Sequence, residues 1–151
     1  MAIRMKTEVT LKAEADCPSH SLANVAIRDL NFAIDEPEAR GGTNQGPTPT
    51  DTAIAALVGC TNVIGHKCAD KLGVDIGHLR IEASCQFDRR GVTLAEEIET
   101  PFVSIKLTVT ADGSADDAAL QAVAREVEKY CPLSKLFVAA GTRIDTDWKK
   151  A

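Results

Sequence analysis

Aromatic residues, closely spaced cysteines and long apolar runs are scarce or missing in this sequence of 151 residues. Only 4% of the residues are aromatic and the formal net charge is −5 without a basic stripe, so nucleic acid is not expected as a partner. No C-x-x-C pair occurs, which argues against a closed zinc site, and neither a metal nor another cofactor is expected. The longest apolar stretch, around residues 53–59, is too short to span a bilayer, and no secretory signal follows Met1. A cytoplasmic protein without membrane or nucleic-acid partners is therefore expected.

The rest of the composition is that of an ordinary globular protein, with 44% hydrophobic and 26% charged residues. A chain of this length can bury about two-thirds of the surface that its unfolded form exposes, so a single domain over residues 1–151 is expected. The five cysteines are an odd number, which in the cytoplasm favours free or transiently paired thiols over a disulfide framework.

Hydrophobic periodicity predicts the order of the secondary-structure elements. Alternating apolar and polar residues predict a first strand over residues 3–13. Further strands are predicted over residues 22–28, 30–34, 79–87, 103–109 and 143–148. Helices are predicted over residues 49–72 and 132–140, and a third helix is predicted to begin within residues 114–117. Strands followed by a helix, more strands and more helices predict an α+β fold with an antiparallel sheet rather than repeated βαβ units.

The helix that begins near Pro49 carries several start signals. Thr48 can cap it, Pro49 suits its first position, and Asp51 lies three residues after the cap. The first half of the helix is apolar on almost every side, which predicts burial in a core or in a subunit interface. Cys60 lies on its apolar side, among small residues that leave room for a ligand or another backbone.

Cys131 is expected at the start of a later helix. It directly precedes Pro132, a typical first helical residue, so Cys131 occupies the capping position. The unpaired N–H groups of the first turn can then point at its sulfur and favour the thiolate. Because Cys131 continues the apolar stripe of the preceding helix, both Cys60 and Cys131 are expected to face inward and are the candidate reactive thiols.

The other three cysteines are expected to have no chemical role. Cys85 lies on the apolar face of a predicted strand and is assigned to core packing. Cys68 is predicted to be a half-buried helix residue, and Cys17 a loop thiol before a proline. The histidines do not supply a base for Cys60, since His66 lies about 120° away round the helix and His78 lies on a polar strand face.

Two cysteine motifs together resemble the OsmC/Ohr family of cysteine-based hydroperoxide reductases. They are PTD…ALVGCT over residues 49–61 and CPLS over residues 131–134. The stretch DEP…GGT…GP over residues 35–47 and the turn DRRG over residues 88–91 look like the OsmC-like branch of that family. The likeness covers nearly the whole chain, and the two cysteine motifs at this separation are its most specific part.

The resemblance implies a homodimer in which antiparallel sheets wrap around central helices, with active sites at the subunit interface. It implies a peroxidase in oxidative-stress defence, in which Cys60 is oxidised by an organic or lipid hydroperoxide and Cys131 resolves the sulfenic acid as a disulfide. A dithiol reductant, of the lipoyl or thioredoxin type, would then reduce the pair. The capping argument favours Cys131 as the more acidic thiol, so the two arguments assign the roles differently.

The sequence departs from the family pattern at one position. The best-characterised members carry a glutamate directly after the helix-opening proline, where this chain has Thr50 and its nearest carboxylate is Asp51. The family also uses an arginine from its N-terminal strands to favour the thiolate, and Arg28 is the first candidate and Arg40 the second. The candidate catalytic residues are thus Cys60, Cys131, Arg28 and Asp51.

The missing glutamate leaves two other functions open. The fold could hold a small hydrophobic ligand in an apolar pocket at the dimer interface without catalysing a reaction. It could also exchange thiols and disulfides with another protein. Turnover of a hydroperoxide by the protein and by its cysteine variants distinguishes these functions from the peroxidase.

Overall fold

The computed structural model describes residues 6–151. By its contacts the chain divides into two compact units, Met1–Thr52 and Ala53–Ala151, and the single domain expected over residues 1–151 stays a prediction. No helix within the described residues is long and apolar enough to cross a membrane. The strands are β1 (Glu14–Asp16), β2 (Ala23–Ile27), β3 (Leu30–Ile34), β4 (Leu79–Phe87), β5 (Phe102–Ala111) and β6 (Arg143–Lys150), and the α-helices are α1 (Pro49–Leu72), α2 (Asp117–Tyr130) and α3 (Pro132–Ala139).

In the first unit, β1, β2 and β3 form an antiparallel sheet in that order. Ile27 pairs with Leu30, so only Arg28 and Asp29 connect β2 to β3. Arg28 has a φ of 57°, a left-handed conformation that is unfavourable for a residue with a β-carbon. The tight turn therefore holds Arg28 at the tip of the hairpin in a strained conformation.

A glycine-rich loop follows β3 and closes around the carboxylate of Asp35. Asp35 is fully buried, and its carboxylate accepts hydrogen bonds from the backbone N–H groups of Glu36, Thr43 and Gln45 at 2.8, 3.1 and 3.1 Å. The Thr43 hydroxyl donates a fourth at 2.6 Å. A β-carbon on Gly42 would lie 1.9 Å from the carbonyl oxygen of Glu36, so this close approach requires glycine. Hydrogen bonds, first that of the Thr43 hydroxyl, hold the pKa of Asp35 well below its usual range although burial opposes them.

The second unit is a three-stranded sheet covered by helices. The strand order is β4-β5-β6, with β4 antiparallel and β6 parallel to β5. Inward-facing apolar side chains of the sheet and the helices meet in one continuous core, which removes them from water and stabilises the unit. Its deeply buried members include Leu57, Ile105, Leu107, Val109, Leu120, Val123 and Trp148.

One face of α1 packs into this core. Leu57, Thr61 and Gly65 recur every fourth residue and are buried. A β-carbon on Gly65 would lie 2.9 Å from Cη2 of Trp148, so the missing side chain lets the helix approach the sheet closely. The opposite face of α1 is exposed in the single chain. It carries the small residues Ala55, Ala56, Gly59 and Val63 in its first part and polar residues such as Asn62, His66 and Lys67 further on. Within the chain, α1 is thus buried on one face rather than on most of its sides.

The predicted α+β class is confirmed, as are the helices and every strand from residue 22 onward, with small shifts at the element ends. The predicted strand over residues 3–13 is wrong over 6–13, which are not in a strand, and residues 3–5 lie outside the described residues. The register explains this difference. Glu14 pairs with Ala26, so residues before 13 run past the turn at Arg28, where β2 offers no pairing partner.

The sheet of the second unit is mixed, whereas the sequence predicts an antiparallel one. After β5 the chain passes through α2 and α3 and returns to the same end of the sheet, so β6 pairs with β5 in parallel, from Ser104↔Arg143 to Ala111↔Lys150. Two helices supply the crossover length that a parallel connection needs. The period of the apolar residues is the same in both kinds of strand, so it does not distinguish them.

Candidate active site

The thiols of Cys60 and Cys131 lie together in the second unit. Cys60 comes from the middle of α1 and Cys131 from the junction of α2 and α3, and their Sγ atoms are 3.3 Å apart. Cys131 is completely buried, whereas Cys60 is partly exposed. The sequence places both thiols on inward-facing sides of their helices; their direct contact is a finding of the structure, and their role as the reactive pair stays a prediction.

Cys131 joins two helices because it caps both of them. Its backbone N–H donates to the Val127 carbonyl at 2.8 Å and ends α2, and its own carbonyl accepts from the Lys135 N–H at 3.1 Å within α3. Its Sγ accepts a hydrogen bond from the Ser134 N–H at 3.4 Å, and Pro132 occupies the first position of α3. The predicted cap is therefore present, and it fixes the direction of the Cys131 side chain.

The surroundings of Cys60 oppose its ionisation in the single chain. Burial raises the pKa of the Cys60 thiol, and its interaction with the Cys131 thiol raises the pKa further, because two adjacent sulfurs do not readily carry a charge at the same time. A hydrogen bond from the backbone N–H of Leu133 acts in the opposite direction. The first turn of α3 thus donates the Ser134 N–H to the Cys131 sulfur, and the Leu133 N–H of the same turn lowers the pKa of Cys60.

This arrangement can form a disulfide with little movement. A disulfide requires the sulfurs to approach to about 2.05 Å, so the contact of 3.3 Å has to shorten by little more than one ångström. The pair can also hold one negative charge, since the Ser134 N–H is donated to the Cys131 sulfur and the dipole of α3 favours an anion at this end. The geometry of the Cys60–Cys131 pair is therefore suited to a reversible two-electron interconversion between two thiols and a disulfide.

The remaining cysteines lie apart from this pair. Cys17 is exposed in a loop, as the sequence predicts. Cys85 is partly buried on β4, and burial raises the pKa of its thiol. Cys68 is 3% exposed, so the prediction of a half-buried residue is wrong, because it lies on the core face of α1 rather than at its edge. Burial also raises the pKa of Cys68, and the charge of Glu126 adds to this effect.

The other candidate residues lie in the first unit. Arg28 is at the tip of the β2–β3 hairpin and forms no ion pair among residues 6–151. Arg40 donates from Nε to Glu36 at 2.7 Å, so its charge is already balanced. Asp51 accepts hydrogen bonds from the Thr48 N–H at 3.3 Å and from the Thr48 hydroxyl at 2.6 Å. This is the predicted capping arrangement, and it occupies one oxygen of the Asp51 carboxylate.

Neither His66, on α1, nor His78, before β4, has a thiol among its hydrogen-bond or ion-pair partners. The ring nitrogens of His66 lie 3.0 Å from the Asn62 carbonyl and 3.1 Å from the Gly77 carbonyl. His78 precedes β4 rather than lying within it, and its Nδ1 is 3.4 Å from the Asp112 carboxylate. Among residues 6–151 there is also no group of three or more histidine, cysteine or acidic side chains that could hold a metal.

The second unit contains a cavity, whereas the sequence predicts an apolar pocket only at a dimer interface, as part of an alternative function. Its volume is about 630 Å³, and it lies between α2, α3 and β6. Its walls are mainly apolar. Three lining residues adjoin the thiols: Thr61 follows Cys60 in sequence, and Val127 and Ser134 form hydrogen bonds with Cys131. Six of the lining residues are Thr61, Val127, Ser134, Val138, Ile144 and Trp148. Helical and strand periodicity give each of these residues an inward side but do not reveal that the space between them is unfilled.

Known structures share this fold. An OsmC-like protein from Mycoplasma pneumoniae superposes with a TM-score of 0.80 at 13% identity, covering 96% of this chain and 99% of that one. The organic hydroperoxide resistance protein OsmC from Legionella pneumophila superposes with a TM-score of 0.70 at 15% identity, covering 95% of this chain and 99% of that one. The organic hydroperoxide resistance protein OhrB of Bacillus subtilis superposes with a TM-score of 0.62 at 18% identity, covering 93% of this chain and 98% of that one. The α+β arrangement of this chain is therefore the OsmC/Ohr fold.

The family follows from the sequence match. The family model described as OsmC-like protein matches residues 42–147, a range that includes both thiols of the pair. The chain belongs to the OsmC-like protein family. No protein in the curated set matches the chain significantly. The family resemblance inferred from the two cysteine motifs is thus confirmed.

Proposed function

We propose that the chain reduces organic hydroperoxides through the Cys60–Cys131 pair. The observation that carries this proposal is the 3.3 Å contact between the two sulfurs, one of them partly exposed and the other buried. Membership of the OsmC-like family supports the proposal, and so do structural neighbours that are named organic hydroperoxide resistance proteins. Oxidative-stress defence in the cytoplasm is the corresponding role.

The proposed reaction is a two-electron cycle. The Cys60 thiolate attacks the terminal peroxide oxygen, the O–O bond breaks, and the leaving alkoxide takes a proton to become an alcohol. The resulting sulfenic acid on Cys60 is attacked by the Cys131 sulfur, which forms the disulfide and releases water. A dithiol of lipoyl or thioredoxin type then supplies two electrons and two protons and restores both thiols.

A cation is needed to make the first step efficient, because burial raises the pKa of the Cys60 thiol and so disfavours the thiolate. We assign this role to Arg28 rather than to Arg40, whose guanidinium is paired with Glu36 at 2.7 Å. An arginine held in an unfavourable backbone conformation is also a sign of a functional position. Asp51 is proposed to contribute by fixing the first turn of α1 through its hydrogen bonds to Thr48.

The protein is further proposed to act as an intertwined homodimer. The exposed small-residue face of α1, formed by Ala55, Ala56, Gly59 and Val63, supports this assignment. Small side chains allow two helix backbones to approach closely, and a 24-residue helix offers a long contact surface. Analytical ultracentrifugation or light scattering of the purified protein measures its oligomeric state directly.

The cavity supports a second candidate function, that of a binding protein for a small hydrophobic ligand. Its volume of about 630 Å³ lies in the usual range of small-molecule sites, and its walls are mainly apolar. This function needs no thiol reaction. Recovery of an apolar molecule from purified protein that does not reduce peroxides would favour it.

The peroxidase is tested by steady-state turnover of cumene hydroperoxide with a dithiol reductant. We expect Cys60→Ser and Cys131→Ser to lose turnover, and Cys17→Ser, which removes an exposed loop thiol, to keep it. Turnover that survives both substitutions of the pair would contradict the two-thiol mechanism. A wild-type protein that reduces a disulfide substrate but no hydroperoxide would instead be a thiol–disulfide exchange protein.

A further inference from the structure

We propose that the cavity between α2, α3 and β6 is a regulatory site for an uncharged apolar molecule, and that its occupation holds Cys131 in its buried position. The inference deepens the proposed function, because it concerns control of the same thiol pair, and it rests on that function for what the control achieves. Cys60 is not among the residues that line the cavity, so the site is distinct from the partly exposed thiol.

The cavity has the size and the walls of a small-molecule site. Its volume of about 630 Å³ lies in the usual range for such sites. Its floor includes Leu107, Val127 and Trp148, which are almost fully buried. An apolar molecule that fills the space removes its own surface and that of the floor from water, which favours binding. The floor therefore selects an apolar body.

Two charged residues at the rim decide which head group fits. Glu128 and Lys135 both line the cavity and are exposed, and neither forms an ion pair with another of residues 6–151. An ion of either sign therefore meets a like charge as well as an opposite one. It also loses hydration in a mainly apolar cavity, a cost that an uncharged molecule avoids. The hydroxyl groups of Ser134 and Thr146 can bond an uncharged polar group such as an alcohol.

Three wall residues connect the cavity to the thiol pair. The Val127 carbonyl accepts the Cys131 N–H at 2.8 Å, and the Ser134 N–H donates to the Cys131 sulfur at 3.4 Å. Thr61 directly follows Cys60 on α1. A molecule in the cavity thus contacts both α2 and α3, the two helices whose junction fixes Cys131.

The direction of the coupling follows from linkage between binding and opening. Cys131 is 0% exposed, so we expect a reagent to reach it when the junction of α2 and α3 opens. Opening separates the walls of the cavity, so the ligand binds the closed state alone. A ligand at roughly ten times its Kd then lowers the open population about tenfold. An occupied cavity should slow every reaction at Cys131 that needs this opening.

The fluorescence of Trp148 measures binding, because Trp148 is the only tryptophan of the chain and lies in the cavity floor. The probes are 1-octanol, octanoate and octylammonium, which share one alkyl chain and differ in charge. We expect 1-octanol to bind about tenfold more tightly than either ion. Glu128→Gln should improve the binding of octanoate, and Lys135→Gln that of octylammonium. An unchanged Trp148 signal with 1-octanol, or tighter binding of either ion by wild type, would overturn the proposal.

Alkylation with iodoacetamide, quantified for each cysteine peptide by mass spectrometry, measures the coupling. The Cys60→Ser protein is used, so that no neighbouring thiol reacts before Cys131. With 1-octanol at roughly ten times its Kd, alkylation of Cys131 should slow about tenfold. The exposed Cys17 is the internal control and should react at an unchanged rate. A Cys131 rate that stays constant while Trp148 reports saturation would refute the coupling.

A matched pair of substitutions on α3 assigns both effects to the cavity. Ala139 lines the cavity from an exposed position, so Ala139→Leu should fill space there without disturbing the core, and it should weaken binding of 1-octanol and protection of Cys131 together. Ala140→Leu, at the next exposed residue and outside the lining, should keep both. Wild-type binding and protection in Ala139→Leu would contradict the site. None of these measurements uses a peroxide, so a failure of the regulatory site is distinguishable from a failure of the peroxidase.

Discussion

Asp35 in the first unit and Cys60 in the second are both weak acids that the fold shields from water, yet their pKa values move in opposite directions. Asp35 accepts three backbone N–H groups and one hydroxyl, and its pKa lies well below the usual range. Cys60 receives one N–H from Leu133 and lies beside a second thiol, and its pKa is raised. The number of donors, rather than burial alone, decides the direction in which each pKa moves.

The opposite pKa shifts correspond to different roles, since Asp35 stabilises the structure of a loop and Cys60 is the proposed reactive group. Asp35 keeps its charge at any physiological pH and orders the glycine-rich loop around it. The raised pKa of Cys60 disfavours the thiolate, so its reactivity depends on a further group that favours the charged form.

The largest effect is expected when the proposed cation of the thiol site is removed. Arg28→Gly should lower hydroperoxide turnover on the order of 10²-fold, the cost of losing one charge-stabilising group. The same change should raise stability by up to about 1 kcal/mol, because glycine adopts the left-handed φ of 57° without strain. Steady-state kinetics and thermal unfolding measure the two effects. Arg28→Lys, which keeps the charge and the strain, is the matched control, and wild-type turnover in Arg28→Gly would contradict the assigned role.

The next effect is the loss of the carboxylate that organises the first unit. Asp35→Asn replaces an acceptor by an amide group that cannot accept all four hydrogen bonds, so buried N–H groups lose their partner. We expect the melting temperature to fall by roughly 5–10 °C. Asp16→Asn, at an exposed position of the same sheet, should leave it unchanged. An Asp35→Asn protein as stable as wild type would show that the loop does not depend on the charge.

Acid should act on the same group. The pKa of Asp35 is lower in the folded than in the unfolded chain, so its contribution to stability is fully present above about pH 4. Below that pH the unfolded chain takes up the proton first, and the contribution is lost progressively as the pH falls toward the folded pKa. Urea unfolding between pH 6 and pH 3 should therefore show a steeper loss of stability in wild type than in Asp35→Asn. Parallel pH profiles would contradict this origin.

Two glycines of α1 provide a smaller, paired test of packing in the second unit. A β-carbon on Gly65 would lie 2.9 Å from Trp148, so Gly65→Ala should destabilise the chain by about 1–2 kcal/mol even after its gain in helix propensity. A β-carbon on Gly59 has no neighbour within 4 Å, so Gly59→Ala should stabilise a monomer by about 0.5–1 kcal/mol.

Chemical unfolding at several protein concentrations measures both substitutions. If the face of α1 with Gly59 forms a dimer contact, Gly59→Ala should instead weaken association. A stabilising Gly65→Ala would contradict the close approach of α1 to Trp148.

The smallest effect concerns the ionisation of Cys60. Cys131→Ala removes the neighbouring thiol, which is one of two causes that raise the Cys60 pKa, while burial remains. The pH profile of Cys60 alkylation should therefore move to lower pH than in wild type. Cys68→Ala, which removes a buried thiol without a hydrogen bond to Cys60, is the control. An unchanged profile in Cys131→Ala would show that the contact between the sulfurs does not influence ionisation.

Local signals in the sequence predicted the positions of both thiols. Pro132 after Cys131 marks a cap, and the 3.6-residue periodicity of two helices directs both side chains inward, because these features depend only on neighbouring residues. The donors around Asp35 come from residues 36, 43 and 45, and their convergence depends on the path of a loop that periodicity does not describe. A dense set of glycine, threonine and asparagine after a buried aspartate was the available signal.

Features that depend on pairing between distant segments were not predicted. Residues 6–13 alternate like a strand, but the register of β1 with β2 leaves them without a partner. The parallel pairing of β6 with β5 and the cavity between α2, α3 and β6 arise only when whole elements pack together. The N–H group that Leu133 directs at Cys60 belongs to the same class, since α1 and α3 are far apart in sequence.

The redox pairing of Cys60 with Cys131 is tested most directly by mapping the product of one oxidation. Reduced wild-type protein is treated with one equivalent of cumene hydroperoxide, the remaining thiols are alkylated, and the digested peptides are identified by mass spectrometry. We expect one disulfide per chain between Cys60 and Cys131, with Cys17, Cys68 and Cys85 alkylated. An over-oxidised or alkylated Cys60 without a link to Cys131, or a disulfide to another cysteine, would contradict the account.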